Sequence, residues 1–308
     1  MKNHIMLWIK VIRLHQWSKN ALLFLPLLMS HKFFEIDLVV KLIMAFFSFG
    51  LCASAGYIIN DISDIEADKK HLNKQKRPFA SGRVSTKSGK RIIPILLLGS
   101  LLLAYNFVST PFTVVLIIYF ISTMFYTLYL KEKIFIDVIV LGALYTLRVL
   151  AGGLAVNIEV STWLMGFSWF FFLSLAIMKR YADLVQIKNN NEIKLSGRGY
   201  LVVDKNIVQQ AGIASGFIAM LVLVLYINST NVINLYHTPI LVWLAIPFLL
   251  YWLVRMWIIT NRGEISIDPV IFALCDKRTY IVISCIVLIL ILAARCDIEF
   301  INSSTNVK

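Results

Sequence analysis

Apolar runs of membrane-crossing length recur along this chain, and they constrain its fold more than any other feature. A spanning helix needs about 20 mainly apolar residues. Runs bounded by charge or by Gly, Pro and Asn predict helices near 14–31, 38–60, 90–107, 111–130, 135–155, 161–182, 207–228, 237–259 and 279–296. The first is the weakest, since its continuous apolar stretch lies only between Asn20 and Ser30, and a tilted or interfacial segment is an alternative there. Across the 308 residues, 59% are hydrophobic and 15% charged, against about half and about a quarter in soluble chains. A soluble globular domain is excluded. Nine crossings leave no room for a separate soluble domain, and neither an internal repeat nor a linker interrupts them. The expectation is an all-α, polytopic membrane helix bundle of about nine transmembrane helices, forming one domain over residues 1–308. No small-x-small cleavage site follows the first apolar run, which therefore reads as a retained helix rather than a signal peptide. The four cysteines are scattered and form no C-x-x-C pair, which argues against a disulfide framework or a thiolate metal site.

Lys and Arg distribute unevenly between alternate connections. One set of connections carries 24 of them: the N-terminus to Lys19, the 61–91 loop, 131–134, 179–206 and 261–279. The other set carries only Lys32, Arg295 and Lys308. Positive charge stays on the cytoplasmic side, so the N-terminus and the loops at 61–90 and 180–206 are expected to face the cytoplasm in a multi-pass inner cell membrane protein. Part of the net charge of +13 is therefore topological, and it also suits anionic lipid head groups. Nucleic acid is not an expected partner, because no RNA- or DNA-reading motif accompanies the charge.

The second predicted helix ends in Asn60-Asp61-Ile-Ser-Asp64-Ile-Glu66-Ala-Asp68. On a helix turning 100° per residue, Asp61, Asp64 and Asp68 fall within about 60° of one another, with Asn60 at the edge and Glu66 pointing elsewhere. Three carboxylates on one stripe repel one another unless a cation joins them. Hard oxygen donors with an amide suit Mg²⁺, which keeps several waters and bridges carboxylates to substrate phosphates. A solvated helix end, with Asp64 near Lys69, is the alternative. The stripe begins at the membrane boundary, where clustered acids are expensive, and this favours the metal. Downstream, Arg77-Pro78-Phe79-Ala80-Ser81-Gly82 reads as a fixed turn presenting a guanidinium to a phosphate, or as a positive-inside anchor. Arg148 lies deep in the fifth predicted helix, where an unpaired cation costs ~3 kcal/mol. It is expected to face the bundle interior, paired with Asp137 or a helix carbonyl, or holding a phosphate.

N-D-x-x-D-x-x-x-D after a second apolar helix, followed by K-R-P, resembles the first motif of the UbiA superfamily of intramembrane prenyltransferases. Further residues are similar to one branch, the decaprenyl-phosphate phosphoribosyltransferase group. They are Arg13-Leu-His-Gln-Trp17-Ser-Lys19-Asn20, Tyr129-Leu-Lys131, Asp137, Arg148-Val-Leu-Ala-Gly152, Ser161-Thr-Trp163, Lys179-Arg180-Tyr-Ala-Asp183, Arg198-Gly-Tyr200 and Asp268-Pro-Val-Ile-Phe272-Ala-Leu-Cys-Asp276. The resemblance covers about residues 11–280. It implies transfer of 5-phosphoribose from phosphoribosyl pyrophosphate to a polyprenyl phosphate, with release of pyrophosphate, in membrane lipid, for lipid-linked pentose and cell-envelope glycan synthesis.

By that resemblance Asp61, Asp64 and Asp68 are the catalytic acids, and with Asn60 they hold Mg²⁺ on the leaving pyrophosphate. At the position of the superfamily's second acidic motif, the sequence offers Lys179, Arg180 and the single acid Asp183 instead of a D-x-x-x-D pair. Lys179, Arg180, Arg198 and Tyr200 are candidates for phosphate and ribose contacts. Lys19, Arg77 and Arg148 are further phosphate candidates. Two competing functions are an aromatic prenyltransferase of the same superfamily, which would need the second D-x-x-x-D, and a transporter, which would carry ionisable groups near the midplane of broken helices. The charge asymmetry makes a direct prediction: alkaline phosphatase fused at the connections near 109, 157 and 231 should be active, and fused within 61–90 it should be silent.

Overall fold

A computed structural model describes residues 2–70, 74–187, 195, 197–229, 232, 235–265 and 268–295. Every regular element among them is helical. In chain order the elements are α1 (Lys2–Val11), a 3-10 segment (Leu14–Phe24), α2 (Leu25–Met29), α3 (Ile36–Ser63), α4 (Ile65–Lys70), α5 (Thr86–Phe107), α6 (Thr110–Phe125), a π-helical turn (Tyr126–Leu130), α7 (Ile136–Val156), α8 (Thr162–Val185), α9 (Lys205–Ile227), α10 (Ala245–Asn261), α11 (Pro269–Cys275) and α12 (Lys277–Arg295). The chain packs as two compact units, Met1–Val160 with Lys194–Leu201, and Ser161–Ile193 with Val202–Lys308.

Among the described residues, eight helices are long and apolar enough to cross a membrane. The ninth expected run is not a long helix, yet it follows α3 from Arg13 at Asp61 to Asn20 at Phe46. The run at 14–31 folds instead as the 3-10 segment and the five-residue α2. Its polar residues explain the difference, because they turn inward rather than toward lipid. Trp17 donates to Ser54 Oγ at 3.0 Å, Asn20 donates to the carbonyl of Phe46 at 3.3 Å, and Lys19 and Asn20 are both buried. α1 was not expected from the apolar pattern. It lays Val11 against Ile58, Phe79 and Val84, beside the end of α3.

Local chemistry sets the helix boundaries. Ser85, Ser109 and Ser161 each accept a hydrogen bond from the backbone N–H three residues on, and Asp268 from that two residues on, capping α5, α6, α8 and α11. Asn157 closes α7 in the left-handed region at φ 54°. In the first unit, Leu23, Leu27, Phe49, Phe112, Leu116 and Ala151 share one core. Ser48 and Ser100 exchange hydroxyl-to-carbonyl bonds of 2.8 Å between α3 and α5. In the second unit, α8 and α9 approach closely where Ser174 donates to the carbonyl of Gly212 at 2.7 Å. Outward faces are apolar, as at Ile95, Leu98, Leu102 and Tyr105 of α5.

Gly152 of α7 permits one close approach on which the first unit's packing turns. A Cβ at this position would fall onto the backbone carbonyl of Leu23. Gly152→Ala should therefore cost about 1–3 kcal/mol, the usual range for overpacking, read as a lower thermal midpoint in detergent. Gly99→Ala is the control. Its nearest neighbour would be Leu51 Cδ1 at 3.7 Å, an ordinary contact, so its midpoint should hold or rise.

Candidate functional site

The acidic stripe survives the end of α3. Asp64 closes that helix at φ −95°, ψ 7°. Its N–H still donates to Asn60 O at 2.9 Å, and Asp68 N–H donates to Asp64 O at 2.8 Å. The one-residue interruption thus keeps the helical sense, and the three acids follow one another as the spacing predicts. Asp61 and Asp68 are buried, and the Asp64 side chain is 20% exposed.

Three cations converge on these acids. Arg13 sits in the left-handed region (φ 52°) at the start of the 3-10 segment. Its Nε donates to Asp61 Oδ2 at 3.1 Å while its Nη2 pairs with Oδ1. Arg77 joins two acids, with Nη1 at 3.2 Å from Asp61 Oδ1 and 2.7 Å from Asp68 Oδ2. Lys131 Nζ pairs with Asp64 Oδ1, and Asn60 Nδ2 donates to Asp64 Oδ2 at 3.0 Å. The turn behind Arg77 is fixed as the Arg-Pro pair implies: Val84 N–H donates to Pro78 O at 3.1 Å, Ser81 N–H to Arg77 O at 2.9 Å, and Gly82 takes φ 72°. Burial pushes the Asp68 carboxyl above its ordinary range; the Arg77 charge and hydrogen bond oppose this, and Asp61 and Asp64 add to it.

Arg13 and Lys131 belong to the motifs that carry the resemblance but are not among the expected site residues. The signal for Arg13 lay only in its motif. Lys131 is placed by the π-helical turn, where its N–H donates to Tyr126 O at 3.0 Å, five residues back. Such turns gather at functional positions but leave no periodic trace in sequence. Arg198 adjoins this turn, donating to Lys131 O at 3.2 Å with its guanidinium 5.8 Å from the Tyr126 ring centre.

The other candidates fall into separate settings. Tyr200 is 1% exposed. Its hydroxyl donates to Asp137 Oδ1 at 2.6 Å and accepts from Phe135 N–H at 2.9 Å, tying down a residue at φ 65°. The phenol thus donates and accepts inside the protein, between Asp137 and the Phe135 backbone. Arg148 takes the helix carbonyl: it donates to Leu144 O at 2.6 Å and to Tyr119 Oη at 2.7 Å, among the rings of Phe49, Tyr119 and Tyr145. Lys19 lies 5.3 Å from the Tyr145 ring centre. In the second unit, Lys179 pairs with Asp268 at 3.1 Å, and the buried Arg180 with Asp183 at 2.7 Å. Residues 71–73 of the expected 61–90 loop, and 188–194 and 196 of the 180–206 loop, lie outside the described residues.

The donor chemistry fits a hard divalent cation: Asp61, Asp64, Asp68 and the Asn60 amide offer only oxygen ligands. No ready-made cluster of three ligating His, Cys, Asp or Glu occurs among the described residues, because Arg13, Arg77 and Lys131 engage the carboxylates. Acids and cations alternate here at hydrogen-bond distance. A polyphosphate with Mg²⁺ would meet both sets, anionic oxygens suiting the cations and a hard divalent cation suiting the acids. Mg²⁺ with inorganic pyrophosphate should therefore raise the thermal midpoint, through about 2.7 kcal/mol of added stability at a hundred times the dissociation constant. In Asp64→Ala the gain should be largely lost.

The sequence profile of the UbiA prenyltransferase family matches residues 22–275. An uncharacterised protein, y4nM, of Sinorhizobium fredii is 36% identical over 89% of this chain, which spans about half (53%) of that longer protein. Nodulation protein NoeC of Azorhizobium caulinodans is 32% identical over 96% of both chains. Decaprenyl-phosphate phosphoribosyltransferase of Mycobacterium tuberculosis is 33% identical over 57% of this chain and 59% of its own. Among solved structures, a UbiA homologue from Archaeoglobus fulgidus bound to GPP and Mg²⁺ superposes with a TM-score of 0.67, at 13% identity, over 94% of this chain and 100% of that one. At that identity the likeness establishes the fold.

Proposed function

The chain belongs to the UbiA prenyltransferase family, and on that premise we propose that it transfers 5-phosphoribose from phosphoribosyl pyrophosphate to a polyprenyl phosphate, in a Mg²⁺-dependent reaction that releases pyrophosphate. The chain is a multi-pass membrane protein and a transferase of that family. In this reading its N-terminus and basic loops face the cytoplasm and it resides in the inner cell membrane. The lipid-linked pentose phosphate would feed envelope glycan synthesis.

The observation that carries the choice of donor is the Lys179-Arg180 pair, with Asp183 as the sole acid, where the superfamily's second acidic motif would stand. A prenyl diphosphate held by two metal clamps needs acids in both motifs. Lys179 is 38% exposed and held by Asp268. A cation so placed suits a donor with an additional phosphate. Identity to the M. tuberculosis phosphoribosyltransferase supports the same donor.

In this reading Asn60, Asp61, Asp64 and Asp68 would hold the ion, which would supply positive charge to the departing pyrophosphate. Arg13 and Arg77 exchange part of their carboxylate contacts for pyrophosphate oxygens, and Lys131 balances Asp64. The acceptor phosphate is already anionic at neutral pH, so a strong general base is unnecessary. Its oxygen forms a bond to the anomeric carbon as the bond to pyrophosphate breaks, and catalysis consists of positioning and charge stabilisation.

The decisive assay uses purified protein in detergent with Mg²⁺, a polyprenyl phosphate and labelled phosphoribosyl pyrophosphate, beside a parallel reaction with a prenyl diphosphate and hydroxybenzoate. Metal-dependent label in the lipid phase is expected. Product only in the aromatic reaction would establish the prenyltransferase alternative instead. Asp61→Ala and Asp64→Ala should each lower turnover by about 100-fold or more, the scale of removing one transition-state charge contact; Asp64→Ala, at the more exposed acid, should do so without loss of folded yield. Lys179→Ala should raise the donor KM by about tenfold, the value of one charge-assisted hydrogen bond; an unchanged KM would make it a topology residue.

A further inference from the structure

The second unit carries a groove of about 490 Å³ along α10 and α12, outside the chemistry proposed above. Its wall is apolar, including Leu250, Val254 and Ile258, and it also takes in three arginines, Arg255, Arg262 and Arg278. Arg255 and Arg262 are seven residues apart, two turns on one face of α10, and Arg262 is the cap of that helix. Arg278 lies in the first turn of α12. The arginines thus gather where the two candidate membrane-crossing helices end, while the apolar wall follows α10 back into its span.

The three guanidiniums differ in what they already hold. Arg255 makes a two-pronged pair with Asp276, at 2.6 and 3.0 Å, and Asp276 also accepts from Thr279 N–H and Oγ1 at the start of α12. Its Nε is buried and has no hydrogen-bond partner among the described residues. Arg262 is 65% exposed and meets Glu264 only at 3.9 Å. Arg278 is exposed. One acid tightly bound and another at the edge leave positive charge at the end of an apolar cleft.

We propose that this groove binds one anionic phospholipid, its head-group phosphate on Arg262 and Arg278, and an acyl chain along Leu250, Val254 and Ile258. The chemistry selects an amphiphile. A free phosphate would gain nothing from the apolar wall, and an apolar partner surface would leave the arginines without anions. A zwitterionic head group would bring its own cation against three guanidiniums. Basic pockets between membrane helices at the head-group level are suited to anionic lipids in this way.

The test is native mass spectrometry of the full chain in detergent, titrated separately with phosphatidylglycerol, phosphatidylcholine and a polyprenyl phosphate. One phosphatidylglycerol per chain should remain bound under conditions that strip phosphatidylcholine. Arg262→Ala with Arg278→Ala should weaken that binding by about 30-fold, about fivefold for each arginine. Both side chains are exposed, so the double variant should keep its thermal midpoint. Val254→Trp fills the apolar part of the groove while leaving the arginines, and it should also release the lipid. Equal retention of both phospholipids, no retained phospholipid, or unchanged binding in either variant would overturn the site. Polyprenyl phosphate held more tightly than phosphatidylglycerol, and lost with the same substitutions, would overturn the phospholipid and assign the groove to a substrate. A mass of two chains that disappears in Val254→Trp would assign it to a second copy.

Discussion

Asp61 is 3% exposed and carries two guanidiniums, Arg13 from the segment before α2 and Arg77 from the turn before α5. A buried carboxylate without partners costs several kcal/mol, so the end of α3 is stable only when these two distant pieces of chain close over it. Arg77 then reaches on to Asp68, and Asp64 is engaged by Lys131. One electrostatic requirement therefore arranges three segments around the acidic stripe. Breaking a buried pair is costly while the pair itself contributes little net stability. Such a network is better suited to fixing positions, and to re-pairing with a phosphorylated ligand, than to holding the fold together.

The same cost explains the polar groups deeper in the first unit. Arg148 is 3% exposed and satisfies its donors on Leu144 O, Tyr119 Oη and, at 3.4 Å, Asn20 Oδ1, with three aromatic rings around it. Asn20 comes from the 3-10 segment, whose close approach to α7 requires Gly152. The glycine, the buried arginine and the inward-turned segment are thus parts of one packing solution, which explains why 14–31 does not form another long apolar helix. In the second unit, the pairs Lys179–Asp268 and Arg255–Asp276 perform the same neutralisation, with Asp268 also capping α11 and Asp276 bonding the first turn of α12.

Eight of the nine predicted runs match long helices within a few residues, because the lipid-facing requirement for about 20 apolar residues leaves a signal in any such sequence. The acidic stripe was equally legible, since its i, i+3, i+7 spacing needs only helical geometry, which the interruption at Asp64 preserves. The Arg77-Pro78 turn was readable from proline chemistry. The partner of Tyr200 is not legible in its motif, because proximity to Arg198 in sequence says nothing about Asp137, 63 residues away, which accepts the phenol's hydrogen bond. Lys131 was overlooked as a site residue because the π-helical turn that aims it interrupts the helical period without a sequence mark.

The sequence by itself determined the membrane class, the approximate limits of the long helices, the charge asymmetry between connections, and the set of oxygen donors at the end of α3. These follow from properties that act within one segment: apolar length, helical spacing and charge. Only the tertiary structure decided that Arg13 and Arg77 share Asp61, that Lys131 takes Asp64, that Arg148 lies among aromatic rings, and that three arginines close an apolar groove along α10 and α12. The first two pairings on Asp61 and Asp64 alone link residues 48 and 67 positions apart. At such separations many cations satisfy the same local rules, and the choice among them rests on which backbones can approach closely enough to bring their charges together.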